Sequence, residues 1–98
     1  MMLARVIGTV VSSQKDLRCQ GKKLLLLQPH QAQGDRLVPA GPSVVAVDGV
    51  GAGLGTLVMF TQGSSARLTD VTKDTPVDAV IMGIVDTVEV EGRRIGLP

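Results

Sequence analysis

Aromatic side chains are all but missing from this sequence: it has no tryptophan or tyrosine, and Phe60 is its single aromatic residue. Its core must therefore be built from valine, leucine, isoleucine, methionine and alanine. Cys19 is the only cysteine and His30 the only histidine. An internal disulfide is thus excluded, and too few good ligands remain for a structural zinc site. A chain of 98 residues has the length of one domain, read as spanning residues 1–98. A chain that short removes only about 60–70% of its unfolded surface from water. Small domains offset that deficit with disulfides, metals or association with other chains. With the first two removed, oligomerisation is the expected route.

An excess of charge is also lacking. Ten basic and nine acidic residues leave a net charge of +1, scattered along the chain rather than gathered into a run. Neither a nucleic acid nor an anionic membrane is indicated as a partner. Long apolar runs are absent too. The longest, Ala79 to Val85 counting Gly83, is far short of the roughly 20 residues that cross a bilayer as a helix. MMLARVIGTVVSSQK at the start has no charged n-region, long apolar stretch or small-residue cleavage site, so a cytoplasmic protein is expected.

What is present is a series of short β-like runs. Leu3–Val11 (LARVIGTVV) is rich in β-branched residues, which favour the pleated strand. Ser12–Gly21 reads as a loop. Lys22–Gln28 (KKLLLLQ) is a second strand, stopped by Pro29 before it reaches helix length. Gln31–Ser43, with Gly34, Asp35, Pro39, Gly41 and Pro42, reads as an exposed irregular loop. Further strands are expected at Val44–Val47, Thr56–Thr61 and along Asp78–Glu91, with a turn at Lys73–Pro76. Gly63–Leu68 forms one helical turn with Ser64 as its N-cap, and Glu91-Gly92 makes a tight turn into Arg93–Leu97. Five or six short strands joined by polar turns point to a small barrel or sandwich. The first and last runs are apolar on both faces, so a neighbouring subunit is expected to cover the outward one.

No stretch completes a catalytic constellation. Gly49–Gly55 (GVGAGLG) alternates its glycines, which fits neither G-x-G-x-x-G nor G-x-x-x-x-G-K-[ST], and no long helix follows. It reads as a tight turn where backbones pack closely. Gly63-Ser64-Ser65-Ala66-Arg67 puts arginine where a nucleophile elbow needs glycine; Arg67 is free instead to bridge to a carboxylate or carbonyl on a neighbouring chain. Cys19 and His30 have no orienting acid at a telling spacing. Asp86 interrupts apolar sequence and reads as a salt-bridge partner for Arg5 or Arg67 at an interface. An oligonucleotide-binding barrel is the alternative, but its stacking aromatics and basic stripe are missing.

Four stretches, in order, resemble the vertex proteins of bacterial microcompartment shells, the family found in ethanolamine-utilisation, propanediol-utilisation and carboxysome shells. LARVIGTVVSSQK (3–15) is similar to the family's opening strand and turn. GKKLLLLQP (21–29) is similar to its second strand. VAVDGVGAGLGTLVMFTQGSSAR (45–67) resembles A-x-D-x-V-G-A-G-x-G followed by a strand and G-S-S-A-R. PVDAVIMGIVDTVEV (76–90) resembles the closing strand. Gly49, Thr56 and Ser13 depart from the usual family residues, Thr56 by lacking a common acidic group.

The resemblance implies an all-β fold, a five-stranded barrel of oligonucleotide-binding-like topology with a short helical turn, assembled as a cyclic pentamer. It implies a structural shell protein, not an enzyme, with no cofactor or metal. Such a protein closes the twelve vertices of an icosahedral shell alongside hexameric shell proteins in the cytoplasm; LARV, GKKLLL and GIVDTV tilt the compartment toward a catabolic type. Gly51, Ala52, Gly53, Ser64, Ser65, Arg67 and Asp86 are the expected subunit-interface or axial residues.

Overall fold

In the computed structural model the described residues are 1–12, 21–69 and 78–98, without the side chains of residues 64, 65 and 67. The expected turn at Lys73–Pro76 and Cys19 lie outside them, as does most of the expected Ser12–Gly21 loop. Among the described residues there are eight strands: β1 (Met2–Val10), β2 (Leu24–Gln33), β3 (Arg36–Pro39), β4 (Val44–Asp48), β5 (Leu57–Gln62), β6 (Ala79–Ile84), β7 (Glu89–Val90) and β8 (Arg93–Arg94). A 3-10 turn, Gly63–Leu68, follows β5.

Five of the strands close on themselves. Because β1 pairs with both β2 and β5, the order β1-β5-β6-β4-β2 returns to its start. Four of these pairings are antiparallel and one, β4 with β6, is parallel through Val47–Val80 and Asp48–Ile81. The strand period of two then sorts each run into an inner and an outer set. Ala4 and Val6, Leu25 and Leu27, Ala46, Val58 and Phe60, Ala79 and Ile81 fill the inside, all 2% exposed or less. Phe60 is the largest of them and the rest are aliphatic, so the aromatic-poor composition matches a narrow interior. Ile7 is an extra residue on β1, where the register to β2 shifts between Val6 and Gly8, a bulge that bends the strand.

The outer face carries two further clusters. Leu37, Leu57 and Ile95 are buried together with Leu3, Val85, Val88 and Val90 against them, which places the C-terminal hairpin over β1, β3 and β5. Val47, Val80 and Ala66 form the other, with Leu24 beside them. The outward apolar residues expected to await a neighbouring subunit are thus partly covered by the chain's own C-terminal segment and 3-10 turn. Ile7, Val45, Met82 and Ile84 remain between 39% and 46% exposed.

Several expectations are corrected. Pro29 does not end the second strand: β2 runs on to Gln33. The Pro29 carbonyl accepts the Ala40 amide at 2.9 Å, so only the reciprocal donor is lost, and β4 pairs with β2 only up to Leu27 while β3 pairs with it from His30 onward. Proline is tolerated at such a break in the ladder. The expected loop 31–43 contains a hairpin instead, because Gly34, at φ +64°, supplies the left-handed residue of a two-residue Gly-Asp turn. The long run 78–91 is broken after Ile84 and resumes at Glu89. Glu91 and Gly92 do form the tight turn, both at positive φ (52° and 79°). Ser64 is not the N-cap of the 3-10 turn; Gln62 occupies that position in extended backbone, with no side-chain capping bond.

Candidate functional site

β4 runs its inner residues Val44 and Ala46 into the core, and the same alternation turns Asp48 inward at the rim of the ring. There it meets the backbone of the following loop. One carboxylate oxygen accepts the amides of Val50 and Gly51, and the other that of Ala52, each at 3.0 Å. The Lys23 ammonium lies 3.7 Å from the second oxygen and donates to the Ala52 carbonyl at 3.3 Å. The Asp48 side chain is 1% exposed, so burial of its charge is compensated by three directed donors and a cation.

Around this anchor the loop takes its shape. Gly51 and Gly55 have φ of +78° and +85°, values that a β-carbon opposes. Ala52 drops its methyl into the core at 1% exposure. The Gly55 amide donates to the Val6 carbonyl at 2.8 Å, and the Val6 amide donates to Thr56 at 3.0 Å, lacing the loop to the bulged strand β1. Gly53 differs: its φ is ordinary and a Cβ there would meet nothing within 4 Å. The left-handed positions of the loop are thus Gly51 and Gly55. Leu54 is 77% exposed at the tip. Amides 50–52 point at Asp48 and not outward, which is why this glycine-rich loop does not have the form of a phosphate cradle.

The other expected residues fall elsewhere. The Gly63 amide donates to the Asp78 carbonyl at 2.7 Å, fixing the 3-10 turn beside the start of β6. Its backbone includes Ser64, Ser65 and Arg67, whose side chains lie outside the described set. Ala66, fully buried between Val47 and Val80, pins the turn to the outer face. Asp86 is exposed beyond the opposite end of β6, near where the Val85 amide meets the Leu57 carbonyl at 2.9 Å. The loop with Gly51 and Gly53 joins β4 to β5 at that same end, so the structure groups these residues with Asp86 and separates them from the 3-10 turn. His30 lies in β2 at 9% exposure, its Nδ1 bonded to the Gln28 carbonyl at 2.8 Å.

Asp48 and Lys23 were not among the expected site residues. The available signal was an aspartate ending a strand immediately before alternating glycines, the pattern of a carboxylate that bonds the amides two to four residues on.

The family described as "Ethanolamine utilisation protein EutN/carboxysome" matches residues 1–86. The chain belongs to this family. Within it, the carboxysome shell vertex protein CcmL of Gloeobacter violaceus is 50% identical over 95 residues, covering 97% of this chain and 92% of that protein. The microcompartment shell vertex protein PduN of Salmonella typhimurium is 49% identical over 90 residues, covering 89% and 97%. Among solved structures, the pentameric microcompartment shell protein GrpN of Rhodospirillum rubrum superposes with a TM-score of 0.81 at 44% identity, over 92% of this chain and 99% of that one. These EutN/carboxysome relatives are shell proteins, not enzymes.

Proposed function

We propose that this chain is a structural protein that assembles as a homopentamer and caps the vertices of a bacterial microcompartment shell in the cytoplasm. The observation that carries the reading is the match, 44% identical over nearly the whole fold, to a shell protein described as pentameric. The physical form agrees with it. A flat layer of hexagonal tiles needs fivefold positions to close, and a ring with cyclic symmetry fills them through head-to-tail contacts. The closed strand ring is read as an oligonucleotide-binding-like barrel serving as a scaffold, and its neighbours in the shell as hexameric tiles.

Gly51, Gly53, Ser64, Ser65, Arg67 and Asp86 are proposed as subunit-facing or axial positions, on two separate ends of the β5–β6 pair, as a head-to-tail contact requires. LARV, GKKLLL and GIVDTV support a catabolic compartment; identities of 50% to CcmL and 49% to PduN weigh equally on both types, and the neighbouring genes test that finer assignment. Native mass spectrometry tests the assembly itself. Five copies of a 10.2 kDa chain give about 51 kDa, whereas a monomer at micromolar concentration overturns the reading.

A further inference from the structure

β3 is the last strand of the six-stranded sheet, so one of its edges faces away from β2. Backbone groups along a strand alternate between its two edges. The Leu37 amide points away from β2, so Leu37 and Pro39 share the outer edge, and Arg36 and Val38 turn toward Gln33 and Gln31. Pro39 has no N–H, which leaves Leu37 as the one outward donor within β3. The chain's own C-terminal segment occupies it. Leu37 donates to the Gly96 carbonyl at 2.9 Å and the Gly96 amide donates to the Asp35 carbonyl at 2.7 Å, a single parallel bridge between Arg36 and Gly96. Beside it Ile95 is buried against Leu37 and Leu57. An apolar anchor and a pair of main-chain bonds along a sheet edge are the two parts of strand addition. The hold is short, however. β7 and β8, which lead into the segment, share two residue pairs, and so small a hairpin has little stability of its own. Among the described residues the bonds to the outer edge end at Gly96, and residues 96–98 are exposed.

We propose that Ile95 and Gly96 form a displaceable strap over the outer edge of β3, and that this edge, once the strap lifts, accepts an extended peptide of the same pattern. The partner's chemistry is read from the strap itself. Its first residue carries a branched apolar side chain for the site lined by Leu37 and Leu57, with Leu3, Val85, Val88 and Val90 around it. Its second is small and keeps its N–H for the Asp35 carbonyl. A β-carbon there would meet that oxygen at 3.5 Å and the Arg36 Cβ at 3.6 Å, ordinary contacts that admit alanine as well as glycine. While the strap is in place, β3 offers no free outward N–H, so the chain guards its own edge against unsought strand pairing. The inference goes beyond the shell reading and does not depend on it.

The test uses the full chain, as wild type and as Gly96→Pro, which removes the amide bonded to Asp35. Amide hydrogen exchange is read at Leu37 and at the core strands. The probe is a fluorescein-labelled peptide with the sequence of residues 93–98, followed by anisotropy. In the wild type the Leu37 amide should exchange faster than those of Leu25 and Leu27, because lifting the strap does not require opening the core. Equal protection of all three overturns the proposal without recourse to any variant. In Gly96→Pro, exchange at Leu37 should quicken while the core stays protected, and the peptide should bind and slow that exchange again. Binding to the wild type should be at least about tenfold weaker, since its tethered strap competes at high effective concentration. Peptides carrying Ile95→Ser or Gly96→Pro, which keep the same charge, should not bind. Equal binding to both proteins, or binding that leaves Leu37 exchange unchanged, places the peptide elsewhere and overturns the proposal. Self-association of the variant that the peptide does not compete assigns the edge to a second copy, and overturns it too.

Discussion

Asp48 and Lys23 meet at the rim of the strand ring, Nζ 3.7 Å from Oδ2, yet the carboxylate side chain is 1% exposed and the lysine side chain 55%. They are unequal partners. The ion pair is largely hydrated on the lysine side, where such contacts contribute about 0–1 kcal/mol. The three amides bonded to Asp48 carry the rest of the arrangement.

Removing the two groups should therefore have different effects. Asp48→Ala is expected to destabilise the chain by about 1–3 kcal/mol, because the part-buried Ala52 amide loses its partner and the loop its anchor. Lys23→Met is expected to cost less than about 1 kcal/mol. Urea unfolding at one fixed protein concentration separates them through the midpoint, provided the slope is unchanged.

Backbone strain offers an independent check on the same loop. Gly55, at φ +85°, has open space for a β-carbon but an unfavourable conformation for one. Gly55→Ala should cost about 1–2 kcal/mol, which lowers the melting temperature by roughly 4–8 °C per kcal/mol in a domain of this size. An unchanged melting temperature would mean that the loop readily leaves this conformation.

The C-terminal hairpin makes a separate prediction. Ile95 is 5% exposed against Leu37 and Leu57, and next to it Leu37 donates to Gly96 at 2.9 Å while Gly96 donates to Asp35 at 2.7 Å. Ile95→Ala should cost about 2–5 kcal/mol, measured by denaturant unfolding. A neutral effect would show that the segment contributes no stability to the ring.

Glu91 is open to improvement. It is the one non-glycine residue at positive φ among those described, and it precedes Gly92 in a two-residue hairpin turn. Asparagine is the preferred residue at that position. Glu91→Asn is expected to stabilise the protein by about 0.5–1 kcal/mol, seen as a higher urea midpoint with unaltered assembly.

The strands that were plain in the sequence are those with β-branched or leucine runs, β1 above all, because composition alone marks a pleated, half-buried element. Pro29 misled, since its lost donor matters only where a ladder bond is due, and no local pattern shows where β4 stops and β3 starts. The Gln31–Gln33 half of the first hairpin is exposed and has no large apolar side chain, so it carried no hydrophobic alternation to reveal it. Ring closure through Val47 and Val80 joins distant parts of the chain, which periodicity does not report. At the site, Gly51 was visible as a glycine, but its reason for being one was not. Asp48 could be read as a strand end; that its oxygens face back toward the loop is a property of the folded backbone. The number five came from resemblance alone.

The closed ring also dictates an order of events during synthesis. β1 finds its partner Phe60 only after most of the chain has been made, and β6 must then enter between β4 and β5. Until it does, β5, β1, β2 and β4 form an open sheet with unpaired edges, the condition in which nascent chains stick to one another. Pairings this distant in sequence are slow to form. Subunits that meet too early would therefore find raw strand edges instead of finished contact faces, so closure within each chain has to outrun encounters between chains.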